Sequence, residues 1–436
     1  MKRFILVMAC LLIMISAKTQ QTDKRIANLL NNSDWFGLQE EIQTRGDSIQ
    51  TPFLKLLSQA MLAFYGNKPE ETIRLVNLLM DKHQKELDFP NMVNLLALKY
   101  TSLKTLGAYQ QIDQELTNTI KQFKKQNKTE ELKPLENILY NNKPRIGYAP
   151  LSIVKPTHDV TVPISIDTVK AKKMLEWFRP SKTNRGHIMT IPVTVHNRQY
   201  PFIFDTGASS TFLSDRMARQ LGVKIFEDTM MVNRQMPIRE GYLESLKIGD
   251  ITIRNIMVYV GMPSQTDSIF TFDAILGLDC LKAIGESQIY YADRKIVFPA
   301  QFTPLPKTGS NLLIDNIPVF KAYQGTTRLD FKLDTGDDAA ELSSRYYQTH
   351  KKEVDATGVV ETITKGMYNH IFNTKVALIP YVTFNVGYRK LTITPIYVSL
   401  DTANRIEKHD GVMGMELIRL TRKATINFKD MFLKLE

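Results

Sequence analysis

The sequence predicts a multidomain α plus β protein, with an N-terminal α-helical hairpin domain followed by a bilobal all-β domain. Three observations carry that reading. Up to about residue 141, apolar residues recur at intervals of three and four, the period of a helix with one buried face. Beyond it the pattern turns to short alternating or apolar runs rich in branched residues, the period of strands. Within that second region one ordered set of features occurs twice, as two tandem lobes of one fold would leave it.

The chain of 436 residues is long enough for several cores, and its apolar share of 43% and charged share of 23% are those of a folded protein. Residues 1–17, MKRFILVMACLLIMISA, read as a secretory signal peptide. Lys2 and Arg3 are its positive end, Phe4 to Ile15 its apolar stretch, and Ser16-Ala17 its small residues for cleavage; it is too short to span a bilayer comfortably. A lipobox-like VMAC at Val7–Cys10 gives lipidation as the alternative. No later segment has the length and apolarity of a transmembrane helix. With Cys10 removed, Cys280 is the single cysteine and no intramolecular disulfide can form. An exported protein of this size without disulfides fits a bacterial periplasm or cell envelope better than a eukaryotic secretory route. The net charge of +11 is spread without a basic-aromatic motif, which argues against a nucleic-acid partner.

Residues 18–142 form the helical domain. Thr51-Pro52 supplies an N-cap hydroxyl and a proline for the first helical position. From there Phe53, Leu56, Leu57, Ala60, Met61 and Phe64 share one face, until Tyr65-Gly66-Asn67 breaks the helix. Pro69-Glu70-Glu71 opens the next, with acids at its positive end and Ile73, Val76, Leu79 and Met80 inward. A similar pair covers Leu95 to Leu106 and Ile112 to Phe123, broken at Gly107. Such pairs loosely resemble tetratricopeptide-type repeats. The Gly66-to-Gly107 offset exceeds the usual repeat, and a plain helical bundle is the alternative.

Residues 143–184 read as a linker with leading strands, because NNKPRIGYAPLSIVKP carries three prolines and a glycine. The first lobe is assigned to 185–300 and the second to 301–436, with the Pro/Gly-rich Pro299–Asn311 between them. Strands are expected at VTVPISI, IMTIPVTV, YPFIF, ITIRNIMVYV and IYYADRKIVF, with a hairpin turn at His196–Gln199. The first lobe runs IPVTV, FDTGAS, LKIGDITIRNIMVYV, AILGLDCL, QIYYADRKIVF. The second runs IPVF, LDTGDD, VTFNVGYRKLTITPIYV, GVMGMELI, ATINFKDMFLKL.

The repeated tripeptide is Asp205-Thr206-Gly207 and Asp334-Thr335-Gly336. A carboxylate at the end of a buried strand, followed by a small hydroxyl donor and a glycine turn, suits a site that activates water by acid-base chemistry. One copy alone would be an ordinary strand-to-turn transition. Two copies, each followed by an apolar-apolar-glycine segment (Ile275-Leu276-Gly277 and Val412-Met413-Gly414), resemble the aspartic peptidases of the retropepsin-like and pepsin-like families over about residues 185–436. The resemblance implies a double retropepsin-like barrel with the cleft between its lobes. Asp205 and Asp334 would be the catalytic pair, with Thr206, Gly207, Thr335 and Gly336 supporting the loops. Ala208, Asp337, Asp338 and Tyr242 would be substrate-side residues. It implies peptide hydrolysis without a cofactor or metal, on a peptide or protein substrate.

Two departures stand out. Ala208 follows the first glycine, as in retroviral enzymes, but Asp337 follows the second. A third carboxylate there would raise the pair's pKa by like-charge repulsion, bind a basic group, or cap a turn. Asp338 lies where some family members carry an acid that contacts substrate backbone. A flap is expected at Met230–Tyr242, with a counterpart around Thr364–Asn373; two flaps would make the domain more like a fused retropepsin dimer than pepsin. Other chemistry is weak: the seven histidines show no metal-ligand spacing, Cys280 reads as core, and Asp279 and Glu416 as structural or solvated acids. The expectation is an exported aspartic endopeptidase whose helical domain recruits a protein partner or covers the cleft. The rivals are a silent peptide-binding protein, and a protein whose helical repeats are its main function.

Export removes the first 17 residues on this reading, so N-terminal sequencing of envelope-fraction protein should begin near Lys18. A lipid-modified Cys10 at the start would support the lipoprotein reading instead.

Overall fold

A computed structural model of the chain describes residues 21–125, 130–168, 187–232, 236–262, 273–367, 370–401 and 407–436. The signal peptide expected at 1–17 lies outside the described residues. The chain divides into two compact units, Met1–Leu151 and Ser152–Glu436.

The first unit is helical: Gln21–Asn31, Trp35–Arg45, Pro52–Tyr65, Pro69–Lys82, Phe89–Thr105, Tyr109–Lys124 and Lys133–Asn142. Consecutive helices pack on one another. Val93, Ala97 and Tyr100 of Phe89–Thr105 share a buried cluster with Ile112, Leu116 and Leu135 of the two following helices, against which Ile73 and Met80 pack. Thr51 does not cap its helix with its side chain. Its hydroxyl instead donates to the fully buried Asp23 at 2.5 Å, which also accepts the backbone N–H of Gln50 and Thr51, both at 3.0 Å. That contact joins residues distant in sequence, which a local capping pattern cannot foresee. The buried face of Pro52–Tyr65 is also turned from the expected one: Leu54 and Ala63 are buried, whereas Leu56 and Phe64 are only partly so.

The division at Leu151 falls inside the stretch read as linker. Asn142 donates to the Tyr109 carbonyl at 2.8 Å, and the Arg145 guanidinium lies 5.9 Å from the Tyr109 ring centroid. Gly107, at φ +70°, is backed by Pro150, where an added Cβ would meet Pro150 Cβ at 2.2 Å. Residues 142–150 therefore finish the helical unit.

Among the described residues the second unit forms three sheets. In the first, His187–Val195 and Arg198–Phe204 form a hairpin whose two turn residues, His196 and Asn197, both have positive φ. The strand order is Ser152–Val154, Ile251–Gly261, Phe212–Leu213, Ala274–Leu276, Arg198–Phe204, His187–Val195, Met236–Ile248, Lys224–Val232. Met236–Ile248 also pairs with Ile251–Gly261, which joins this order back on itself. The second sheet runs Val359–Met367, His370–Ile379, Ile396–Ser399, Ala340–Leu342, Gly411–Met413, Thr327–Leu333, Ile317–Gln324, Val382–Val386, Arg389–Ile393. One insertion recurs in both. A three-residue strand ending before a glycine, Ala274–Leu276 or Gly411–Met413, lies parallel to the strand that leads into the DTG loop. The same short strand lies antiparallel to the one that leaves the loop.

The third sheet mixes the two halves: Val160–Pro163, Lys295–Phe298, Glu286–Tyr290, Ala424–Asn427, Phe432–Leu435. Glu286 and Asn427 face each other in its register, and both are fully buried. The Glu286 carboxyl accepts from Asn427 Nδ2, Gln288 Nε2 and Thr303 N, each at 2.8 Å, and from Thr303 Oγ1 at 2.6 Å. Removing it would strand several buried donors at about 1–3 kcal/mol each. Glu286→Ala should therefore lower the thermal midpoint by several degrees, with Glu286→Gln losing less; a melting curve unmoved by Glu286→Ala would show the seam to be dispensable.

Candidate active site

Phe202, Ile203 and Phe204 are buried and run straight into Asp205; Phe331 and Leu333 do the same for Asp334. The Asp205 N–H donates to the Leu276 carbonyl at 3.2 Å and the Asp334 N–H to Met413 at 3.0 Å, so each short strand fixes one DTG loop. Gly277 and Gly414 must be glycine here, because an added Cβ would sit 2.3 Å from the Ser210 carbonyl carbon and 2.4 Å from the Asp337 carbonyl oxygen.

The two loops meet. Thr206 N donates to Thr335 Oγ1 and Thr335 N to Thr206 Oγ1, both at 3.0 Å. Thr206 Oγ1 donates to the Leu333 carbonyl and Thr335 Oγ1 to the Phe204 carbonyl, both at 2.8 Å. Both threonines are fully buried, so every one of these groups would otherwise be an orphan. Each glycine then backs onto the opposite carboxyl: a Cβ on Gly207 would lie 2.3 Å from Asp334 Cγ, and one on Gly336 2.4 Å from Asp205 Cγ. Gly207 N and Ala208 N donate to Asp205 Oδ1 at 2.7 and 3.2 Å, and Gly336 N to Asp334 Oδ1 at 3.0 Å.

Electrostatics split the pair. Burial pushes both carboxyls up. Asp334 rises well above the usual range because the charges of Asp205 and Asp337 add to the effect of burial. For Asp205 the rise is opposed by the Gly207 N–H and by a hydrogen bond from Asp334. Two carboxyls this close cannot both ionise readily, so they titrate as a coupled pair.

Of the remaining residues singled out in the sequence, Ala208 lies beside Asp205. Asp337 is exposed, and its Oδ1 accepts from Ala339 N at 3.1 Å, so it both caps a turn and charges the neighbourhood of Asp334. Asp338 is engaged inside the protein. It pairs with the Arg419 guanidinium and accepts from His187 N at 2.9 Å and His187 Nδ1 at 3.2 Å. Tyr242 is at the base of a hairpin, opposite Lys224, with its hydroxyl donating to Asn255 Oδ1 at 2.7 Å, and is not at the tip. Hairpins occur at both expected flap positions, Lys224–Val232 with Met236–Ile248 and Val359–Met367 with His370–Ile379. Residues 233–235 and 368–369 at their tips lie outside the described residues. Asp279 is structural: it accepts from Thr211 N at 3.0 Å and Thr211 Oγ1 at 2.8 Å, and burial pushes its carboxyl up. Glu416 Oε2 accepts from Ala340 N at 2.9 Å in the corresponding place. Cys280 is a buried core residue.

His187 and Arg419 were not foreseen. Arg419 Nε also donates to the Tyr291 hydroxyl at 3.2 Å, so the Asp338–Arg419 pair reaches both halves. One signal was present: Lys282 and Arg419 stand at the same offset from Gly277 and Gly414. Among the described residues no group of His, Cys, Asp and Glu is placed to hold a metal ion, and no helix is long and apolar enough to cross a membrane.

Residues 191–283 match the model of a family described as "gag-polyprotein putative aspartyl protease". The match takes in Asp205 to Ala208 and the Gly277 segment, and stops before the second half. A search of curated proteins finds no significant match. Residues 191–283 are thus similar to an aspartyl-protease domain of retropepsin-like kind, and helices precede them in the chain.

A carboxyl whose native pKa is raised binds its proton more tightly folded than unfolded, so stability falls as pH rises from the ordinary carboxylate range through the native value. Asp334→Asn should relieve that loss. Its thermal midpoint relative to wild type should be higher at pH 7 than at pH 4, by roughly 2–4 °C for each kcal/mol relieved. Thr206→Val should instead lower the midpoint at both pH values; a pH-independent difference for Asp334→Asn would show that the pair is not strained.

Proposed function

We propose that the protein is an exported aspartic endopeptidase that hydrolyses peptide bonds through a water held by Asp205 and Asp334. The observation that carries it is the cross-backing of the DTG loops, in which Gly207 lies against the Asp334 carboxyl and Gly336 against that of Asp205. The aspartyl-protease match supports the reaction class. On this reading residues 185–300 and 301–436 are two lobes related by a pseudo-twofold axis, as in a fused retropepsin dimer, and the two hairpins are their flaps.

The chemistry follows from the unequal carboxyls. Asp205, the ionised partner, takes a proton from the water as its oxygen attacks the amide carbon. Asp334 gives its proton to the carbonyl oxygen and so neutralises the charge that develops there. The proton gained by Asp205 passes to the amine as the C–N bond breaks, while Asp334 takes back a proton from a hydroxyl of the tetrahedral intermediate as its carbonyl re-forms; both carboxyls are then in their starting states and a new water can enter. The buried threonines hold both carboxyls in place, so little reorganisation accompanies the step. The helical unit, loosely like tetratricopeptide-type hairpins, is assigned the recruitment of a protein partner or substrate. The exported position, in a bacterial periplasm or envelope, rests on the N-terminal segment read from the sequence.

A second reading, a catalytically inactive peptide-binding protein on the same fold, is favoured by one observation: the charge of Asp337 disfavours ionisation of the pair. Both are tested together. Asp205→Asn and Asp334→Asn should each reduce peptide hydrolysis by roughly 10³-fold or more, with the double variant little worse. Asp337→Ala removes a like charge and should move both limbs of the pH–rate profile to lower pH. Hydrolysis that survives Asp205→Asn would refute the endopeptidase reading. A wild type without activity that gains it in Asp337→Ala would establish the silent one.

A further inference from the structure

The two halves of the second unit build one hairpin alike and finish it differently. Met236–Ile248 turns into Ile251–Gly261 through Gly249-Asp250, and Val382–Val386 turns into Arg389–Ile393 through Gly387-Tyr388. Gly249 and Gly387 both have positive φ, +54° and +57°. The residue two before each glycine, Lys247 or Asn385, pairs with the hairpin that leads into the DTG loop, at Thr194 or Tyr323. Lys390, Leu391 and Thr392 therefore stand where Thr252, Ile253 and Arg254 stand in the first half. There Ser152–Val154 lies along the strand, with Val154, Ile153 and Ser152 opposite those three residues. Arg389–Ile393 ends its sheet's strand order, and no further strand lies along it among the described residues.

An edge strand presents N–H and C=O groups on alternate residues, which another extended segment can take up as a further strand. The chemistry of this edge differs from that of the occupied one. Leu391 is buried, as Ile253 is, but Arg389 and Lys390 are exposed, and neither is ion-paired among the described residues. Tyr388 beside them is 86% exposed. Two copies of this chain meeting edge to edge would bring these cations together, which disfavours self-pairing. We propose that Arg389–Ile393 is a docking edge for an extended acidic segment of a partner protein, added antiparallel in the register that Ser152–Val154 takes in the first half. That register sets the sequence that fits. From its N-terminal end, a small polar residue faces Thr392, a branched apolar one faces Leu391, and two acids face Lys390 and Arg389. The edge is independent of the Asp205–Asp334 pair, so the proposal does not rest on the endopeptidase reading.

The test uses the chain from Lys18 onward carrying Asp205→Asn, so that a cleaved probe is not mistaken for an unbound one. The probe is a fluorescein-labelled peptide of about ten residues with Ser-Ile-Glu-Glu at its centre, titrated by fluorescence anisotropy. Binding should weaken about 10-fold when Arg389→Glu and Lys390→Glu are added together. Both residues are exposed, so the thermal midpoint should stay within about a degree. A peptide with Ser-Ile-Lys-Lys at its centre should show the opposite preference. Replacing the serine of the probe by proline keeps its charges but removes an N–H, and should abolish binding. Amide hydrogen exchange of residues 388–393 should slow when the probe binds. Binding that the charge reversal leaves unchanged, or that tolerates the proline, puts the peptide elsewhere and overturns the proposal. Absence of binding at about 1 mM peptide overturns it as well. A concentration-dependent dimer that the same two substitutions abolish, with no peptide bound, gives the edge to a second copy of the chain and overturns the partner assigned to it.

Discussion

The reciprocal bonding of Thr206 and Thr335 is the constraint on which the rest of the second unit depends. Each side chain satisfies a backbone N–H and a carbonyl of the opposite loop, inside a region closed to water. No other small residue does this as well: serine would be freer to rotate, and valine has the shape without the donor or acceptor. Because the bonds are exchanged, neither loop is properly made without the other. The glycines follow from the same closeness, since each leaves the space in which the opposing carboxyl stands.

The cost of that closeness falls on the carboxyls. Two partly buried acids in contact are an unfavourable arrangement at neutral pH, and the surrounding hydrogen bonds offset only part of it. Neighbouring acids are treated differently. Asp338 is neutralised by Arg419 and His187, and Asp279 is held by Thr211 and the Cys280 N–H. Strain is therefore concentrated at one point of the fold, where the proposed chemistry would use it, and relieved around it.

The legible parts of the sequence were those encoded locally or by repetition. Asp205 and Asp334 stood out because an ordered set of features occurs twice, and the strands because their alternation is local. The His196-Asn197 turn and the Gly107 break were visible for the same reason. What escaped was set by contacts between distant residues. Thr51 had the chemistry of a cap, but its hydroxyl goes to Asp23, which lies 28 residues away. Tyr242 had the right character for a flap, yet its register places it at the hairpin base, where Asn255 takes its hydroxyl. His187 and Arg419 carry no motif; only the folded loop brings them to Asp338. The packing of residues 142–150 on the helices is not visible in composition, because proline and glycine mark turns whether or not the turn is packed, and Pro150 is packed on Gly107.

The five-stranded sheet has a consequence in time. Its strand order runs from Val160–Pro163 through Lys295–Phe298 and Glu286–Tyr290 to Ala424–Asn427 and Phe432–Leu435, so it is complete only when strands from both halves have been made. The inner pairing, Glu286–Tyr290 with Ala424–Asn427, joins residues far apart in sequence, a slow contact to form. Until Ala424–Asn427 is made, Glu286–Tyr290 lacks its partner on that edge, and until Asp334 is made Asp205 has no opposite number. A chain that stops before residue 334 carries one DTG loop and cannot form the reciprocal threonine bonds, or bring two such carboxyls together, within itself.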